Sequence, residues 1–166
     1  MEGPHNMNLS TRQWEAHIWL SRMWGKDNDI ESYEKRKDEI ISQLSGIGKY
    51  DSDFVPAQTG ENSVETKNIE YSLLCEKIDK LIKEIAVENV KTMAIIDKVT
   101  DELMHRMIYD RYINRLSWSQ IGIKYNYAQR QPYRYMHKCL DEIRQYIPED
   151  EIKEVVYGKD VCSEAG

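Results

Sequence analysis

The stretch from Glu61 through Ile121 contains neither glycine nor proline. Upstream, those residues fall at positions 3, 4, 25, 46, 48, 56 and 60, and they do not return until Gly122. An unbroken run of that length, without strand-type alternation or β-branched clusters, is confined to helix. The expected fold is all-α. No apolar run approaches the ~18 residues of a spanning helix, so no membrane partner is expected. At 166 residues, 40% hydrophobic and 31% charged, the chain is one ordinary domain or two small ones.

Local signals divide the helices. The opening Met-Glu-Gly-Pro-His-Asn carries an acid and no apolar run, so no signal peptide is expected and residues 1–9 read as flexible. Ser10 and Gln13 have the spacing of a capping box, which predicts a first helix from Ser10 with Trp14, Ile18, Trp19, Leu20, Met23 and Trp24 on its stripe. Gly25 and Lys-Asp-Asn-Asp interrupt it. A second segment from about Asp29 places Ile30, Tyr33, Ile40, Ile41 and Leu44 on one face, together with the aliphatic stem of Lys37. Residues 45–62 are turn-rich and read as a long loop between antiparallel helices. From about Ser63 to Glu88, Leu74, Ile78, Leu81 and Ile85 step by four, three and four, a heptad seam suited to a hairpin against residues 29–45. After Asn89 a further helix carries Ile96, Val99, Leu103, Met107 and Ile108. From Pro148 the chain is acidic, then small and polar, and is expected to fray. Residues 10–90 thus form an acidic helical region for self-association or interaction, 91–147 a separate module, and 148–166 a flexible tail.

The net charge of −6 is unevenly spread. Residues 105–147 hold eight Lys/Arg against Asp110, Asp141 and Glu142, a net +5, which leaves −11 on the rest. Arg111 to Lys138 contains six basic residues and no acid, and residues 105–147 carry seven of the 11 tyrosines. A basic, Tyr-rich stretch in an acidic chain is the footprint of polyanion binding; a solvated face with a chance asymmetry is the alternative.

Within that segment Arg111-Tyr112-Ile113 ends a helix and Asn114-Arg115-Leu116 makes a turn. Ser117-Trp118-Ser119-Gln120 repeats the capping-box spacing, predicting a short helix with Trp118, Ile121 and Tyr125 inward. Asn126 is suited to the left-handed stop, and a third helix runs from about Ala128 to Tyr146, with Tyr135, Cys139, Leu140 and Ile143 inward. Short helix, tight turn and longer basic helix make a helix-turn-helix, with an ordinary three-helix bundle as the alternative.

The string Arg111-Tyr112-Ile113-x-x-x-Ser117-Trp118-x-x-Ile121-Gly122, continued by Tyr127-Ala128-x-Arg130-x-x-x-Arg134-x-x-x-Lys138-x-Leu140, resembles the helix-turn-helix of sigma factor region four. It is similar also to short phage and prophage proteins, the ArpU-like and RinA-like late transcription regulators, over roughly residues 100–145. The resemblance implies a phage or prophage transcription regulator that binds double-stranded promoter DNA through this module. Its N-terminal helices would form a homo-oligomer or contact bacterial RNA polymerase. Two positions depart from the pattern: Ala128 stands where a capping Ser is usual, and Pro132 where an apolar residue is usual.

A recognition helix that starts late or is kinked at Pro132 leaves Gln129, Arg130 and Gln131 at or just before its N-terminus, where side chains meet base edges. Arg130 is the expected base contact, because its fork reads guanine N7 and O6 together, while Gln129 and Gln131 suit adenine. Arg134 and Lys138, four apart, should track phosphates, aided by Arg115, Lys124 and the Ser117 helix start. Tyr133 either reaches the sugar-phosphate backbone or packs. Trp118 is assigned to the core, and Arg111 matches a position to which the resemblance gives a structural role.

Enzymatic signals are weak. The four histidines show no metal-ligand spacing, and Cys75, Cys139 and Cys162 form no C-x-x-C, so neither metal nor disulfide framework is expected and a reducing cytoplasm is the expected location, which the resemblance makes that of a bacterial host. Gly46-Ile47-Gly48-Lys49 lacks the rest of a P-loop. No cofactor and no catalysis are expected. The rival readings are a small terminase-like DNA-packaging protein and an interaction protein whose helix-turn-helix no longer binds DNA.

Overall fold

The computed structural model describes residues 8–47, 61–127 and 131–158, with the side chains of residues 47, 61, 62, 131 and 132 excepted. Among the described residues the chain is all-α: α1 Thr11–Leu20, α2 Trp24–Ile47, α3 Glu61–Ile96, α4 Glu102–Tyr112, α5 Trp118–Lys124, α6 Gln131–Arg144 and α7 Glu149–Tyr157, with no strand. No helix among them is long and apolar enough to cross a membrane. Two compact units emerge, one of residues 24–87 and one of residues 1–23 with 88–166, and the boundary at Val87 falls inside α3.

The first unit is a helical hairpin. Leu74, Ile78 and Ile85 of the α3 seam are buried, as is Ile40 on α2. The antiparallel sense follows from pairs of nearly constant index sum: Lys26 with Glu84 at 2.9 Å, Lys77 over the Tyr33 ring, Arg36 with Glu70, and Lys37 over Tyr71. Three expectations need correction. The helix expected from Asp29 begins at Trp24 and passes through Gly25, because one glycine costs only about 1 kcal/mol against the contacts of a long helix. Ile41, placed on the inward face, is 47% exposed, since it sits about 100° around the helix from Ile40. The break expected at Asn89 lies instead at 97–101, where Val99 is buried and Asp101 caps α4 by accepting from the Met104 N–H at 3.0 Å.

In the second unit α1 packs on α6 and α7, and α6 on α4 and α5. The first helix therefore belongs with the C-terminal helices, not with the hairpin as the division at residue 90 expected. Its capping box forms as predicted, Ser10 and Gln13 exchanging hydrogen bonds of 2.9 and 3.1 Å. The Gln13 Oε1 also lies 3.0 Å from His137 Nδ1 on α6. Buried Arg144 of α6 donates from Nε to Glu15 of α1 at 3.2 Å and from both terminal nitrogens to Glu149 of α7, at 3.0 and 3.1 Å. Tyr157 Oη donates to the other Glu15 oxygen at 2.6 Å. Trp19 Nε1 donates to Glu151, and the Arg22 guanidinium lies 3.8 Å over the Trp19 ring while pairing with Glu88. Of residues 148–166, expected to fray, Glu149–Tyr157 thus form a docked helix with Ile152 buried and Gly158 closing it at φ 66°, while 159–166 lie outside the described residues. Its acidic first turn complements the helix dipole, and glycine takes the left-handed stop without a Cβ clash.

Candidate nucleic-acid interface

The region from α4 to α6 is built around one carboxylate. Asp110, 4% exposed at the end of α4, accepts from Lys124 Nζ at 2.8 Å, Tyr125 Oη at 2.7 Å and Asn114 Nδ2 at 3.0 Å. Burial by itself would raise its pKa, but these three donors outweigh that and hold the carboxyl below the usual range. The Asp110 carbonyl accepts from the Leu116 N–H at 3.0 Å, and Arg111 Nη1 donates to the Leu116 carbonyl at 3.1 Å. The Arg111 guanidinium also lies 5.9 Å from the ring centres of both Tyr112 and Trp118. Arg111 therefore braces the turn, in line with the structural role expected of it. Arg115 occupies the left-handed region at φ 59° in that turn.

From there Ser117 caps α5 through a full box, its hydroxyl accepting from the Gln120 N–H at 3.1 Å and its own N–H donating to Gln120 Oε1 at 2.8 Å. Trp118, Ile121 and Gly122 are the buried positions of α5. Asn126 takes the left-handed conformation at φ 58°, and the Tyr127 N–H closes the turn on the Gly122 carbonyl at 2.8 Å. Tyr127 then leans on Tyr135 of α6, ring centres 5.3 Å apart. Because α6 starts at Gln131, Pro132 lies in its first turn, where an N–H has no helical partner to lose.

Met136, Cys139, Leu140 and Ile143 form the buried face of α6, and burial pushes the Cys139 thiol up to about 12. Tyr135, expected inward, is half-buried, and Met136 is the core residue the sequence reading missed. On the opposite side Arg134 and Lys138 are exposed, with Asp141 beyond them, and Tyr133 is 51% exposed nearby. Lys138 lies 5.7 Å from the Tyr135 ring centre.

Among the described residues the predicted ones thus fall into three groups. Tyr133, Arg134 and Lys138 share the first half of α6, whereas Arg115 and Ser117 lie on the exposed turn ahead of α5. Lys124 is half-exposed at the end of α5, but its amine is engaged by Asp110. Gln129 and Arg130, with Ala128, lie outside the described residues, as does the Gln131 side chain. The cationic surface is smaller than the sequence sum of +5. Arg144 is buried, Arg111 turns inward to a carbonyl, Arg106 pairs with Glu102 at 2.7 Å and Lys124 with Asp110. In an open cleft of about 440 Å³ between His105, Arg106, Tyr109, Asp110, Lys124 and Tyr125, Arg106 and Lys124 each already face a carboxylate, and His105 Nε2 lies 2.9 Å from Asp97. Asp110 entered the sequence reading only as a charge, although an acid alone among so many cations is a candidate for a shared acceptor. No protein-family model matches the chain, and no curated protein or solved structure is significantly similar to it.

Proposed function

We propose that the chain is a DNA-binding transcription regulator of phage or prophage type, working in the bacterial cytoplasm, with α6 as the recognition helix. One observation supports this above the others. The face of α6 opposite its buried residues presents Arg134 and Lys138 one turn apart, on a helix that a capped short helix and a left-handed Asn126 turn set in place. A cation pair at that spacing suits the phosphates flanking a major groove, and the residues ahead of α6 would face base edges. The transcriptional setting and contact with RNA polymerase come from the likeness to sigma region four and the late regulators.

The test is binding to intergenic DNA from the source genome across a salt series, read by fluorescence anisotropy. Arg134→Ala/Lys138→Ala should weaken all sequences alike and reduce the salt slope by about two. Arg130→Ala should instead relax sequence preference, at a cost of about 1–3 kcal/mol for the preferred site. Salt-independent binding, or a double variant indistinguishable from wild type, would overturn the reading.

A further inference from the structure

The hairpin unit carries a second seam. On α3, Ile69, Leu73, Glu76, Lys80, Lys83 and Val87 step by four, three, four, three and four, so they share one stripe of the helix. That stripe lies more than a quarter turn from the buried Leu74–Ile85 seam, and all six residues are exposed, Ile69 at 56%, Leu73 at 51% and Val87 at 60%. The charges on it differ from those facing α2. Glu70 and Glu84 each hold a cation of α2 within 3 Å, whereas Glu76, Lys80 and Lys83 have no ion pair within 4 Å among the described residues, Lys80 acting on Glu84 only at longer range.

The order of residues along this stripe is self-complementary when reversed. Laid antiparallel on its own copy about a centre at position 78, Ile69 meets Val87, Leu73 meets the aliphatic stem of Lys83, and Glu76 meets Lys80. Each contact occurs twice, as a two-fold interface requires. A parallel arrangement would set Glu76 against Glu76 and Lys80 against Lys80, and sliding the antiparallel one by seven residues would bring Lys80 onto Lys83. Like charges facing each other select against both of these, and the opposite slide, which sets Leu73 against Glu76 and Ile69 against Lys80, forfeits both the apolar and the opposite-charge contacts. We propose that the outer face of α3 is a dimerisation surface whose occupant is the same face of a second copy, antiparallel and centred at residue 78. It sharpens the self-association expected of the N-terminal helices, and it does not depend on DNA binding.

Sedimentation equilibrium of the full chain without DNA tests it. A monomer–dimer equilibrium is expected. Glu76→Lys and Lys80→Glu should each raise the dissociation constant by about tenfold, since either one sets two like-charge pairs across the axis. The combined Glu76→Lys/Lys80→Glu exchange restores both pairs and should return the constant to near wild type. Ile69→Lys, at a position that contributes nothing to the core, should also weaken the dimer with an unchanged helical circular dichroism spectrum. A chain that stays monomeric to high concentration overturns the proposal. So does a dimer indifferent to the single exchanges, or one the double exchange fails to restore.

Discussion

In the hairpin of α2 and the first part of α3 the seam is aliphatic, and the ion pairs, such as Arg36–Glu70, lie at its margin with side chains about two-fifths exposed. The unit of α1 and the C-terminal helices is assembled differently. Every buried polar or charged side chain among the described residues is there: Gln13, Glu15, His17, Thr92, Asp110 and Arg144. Several of their partners are more than ninety positions away in sequence, His17 with Tyr112 and Glu15 with Arg144 and Tyr157. An aliphatic seam tolerates sliding and repacking, whereas buried polar groups tolerate only the geometry that satisfies them. The unit proposed to read DNA is thus the one whose helices are held in a single arrangement.

The strongest way to break this comparison is at Arg144. Arg144→Met leaves Glu15 buried without its cation and should cost about 3–5 kcal/mol in urea unfolding. Adding Glu15→Gln should recover much of that loss, because an unpaired buried charge is then no longer left behind. A cost below 1 kcal/mol for the single variant would mean that the network is incidental to the unit.

The next effect is a pH dependence that the hairpin should lack. Burial, with the nearby Arg111 charge, depresses the His17 pKa from 6.5 to about 4. The folded state therefore favours neutral His17, while the unfolded chain takes up the proton first as pH falls. Stability is complete above pH 6.5, declines as pH drops below it, and levels off below about 4, with about 2 kcal/mol lost by pH 5. His17→Gln, which keeps a partner for the Tyr112 hydroxyl, should flatten the stability profile between pH 6.5 and 5. A variant profile parallel to wild type would place the titration elsewhere.

The same division decides what could be read from the residues alone. Both capping boxes, at Ser10 and Ser117, and the Leu74–Ile85 seam rest on contacts within a turn or two, and each stands where its spacing placed it. The left-handed Asn126 was legible for the same reason. Breaker residues were weaker guides: Gly25 and Asn89 both lie within helix, because packing along α2 and α3 outweighs a local preference of about 1 kcal/mol. The docking of α1 on α6 and α7 was invisible, since nothing near Glu15 or Arg144 announces a partner 129 residues away. Arg144 counted as surface charge in the sequence for that reason. The last helix does carry a local signal: proline, then three acids, then a glycine ten residues after the proline, which is a start and stop pattern. At the candidate site the spacing put Arg134 and Lys138 together, but only the structure shows that Lys124 is tied to Asp110.

A smaller effect is expected at the Ser117 box. Ser117→Ala removes the acceptor for the Gln120 N–H and should cost about 1 kcal/mol. Because it loosens the start of α5 without removing a cation, it should weaken DNA binding while leaving its salt slope intact. A lowered slope would mean that loosening this helix start displaces a cation from a phosphate, so that the box positions more than α5.

The smallest expected effect is also the sharpest control, because it repeats the chemistry of Arg144 on the other unit. Arg36 donates from Nε and one terminal nitrogen to the two Glu70 oxygens at 2.8 and 2.9 Å, a forked pair like that of Arg144 with Glu149. The difference is solvent: the Arg36 side chain is 40% exposed and that of Arg144 is 3% exposed. Water screens the first pair and can replace its hydrogen bonds when one partner is removed. Arg36→Ala should therefore leave the thermal midpoint nearly unmoved, and what shift there is should vanish in high salt, whereas the Arg144→Met loss should persist there. Comparable, salt-resistant losses at both positions would show that fork geometry, not burial, sets the strength of these pairs, and the contrast between the two units would fall.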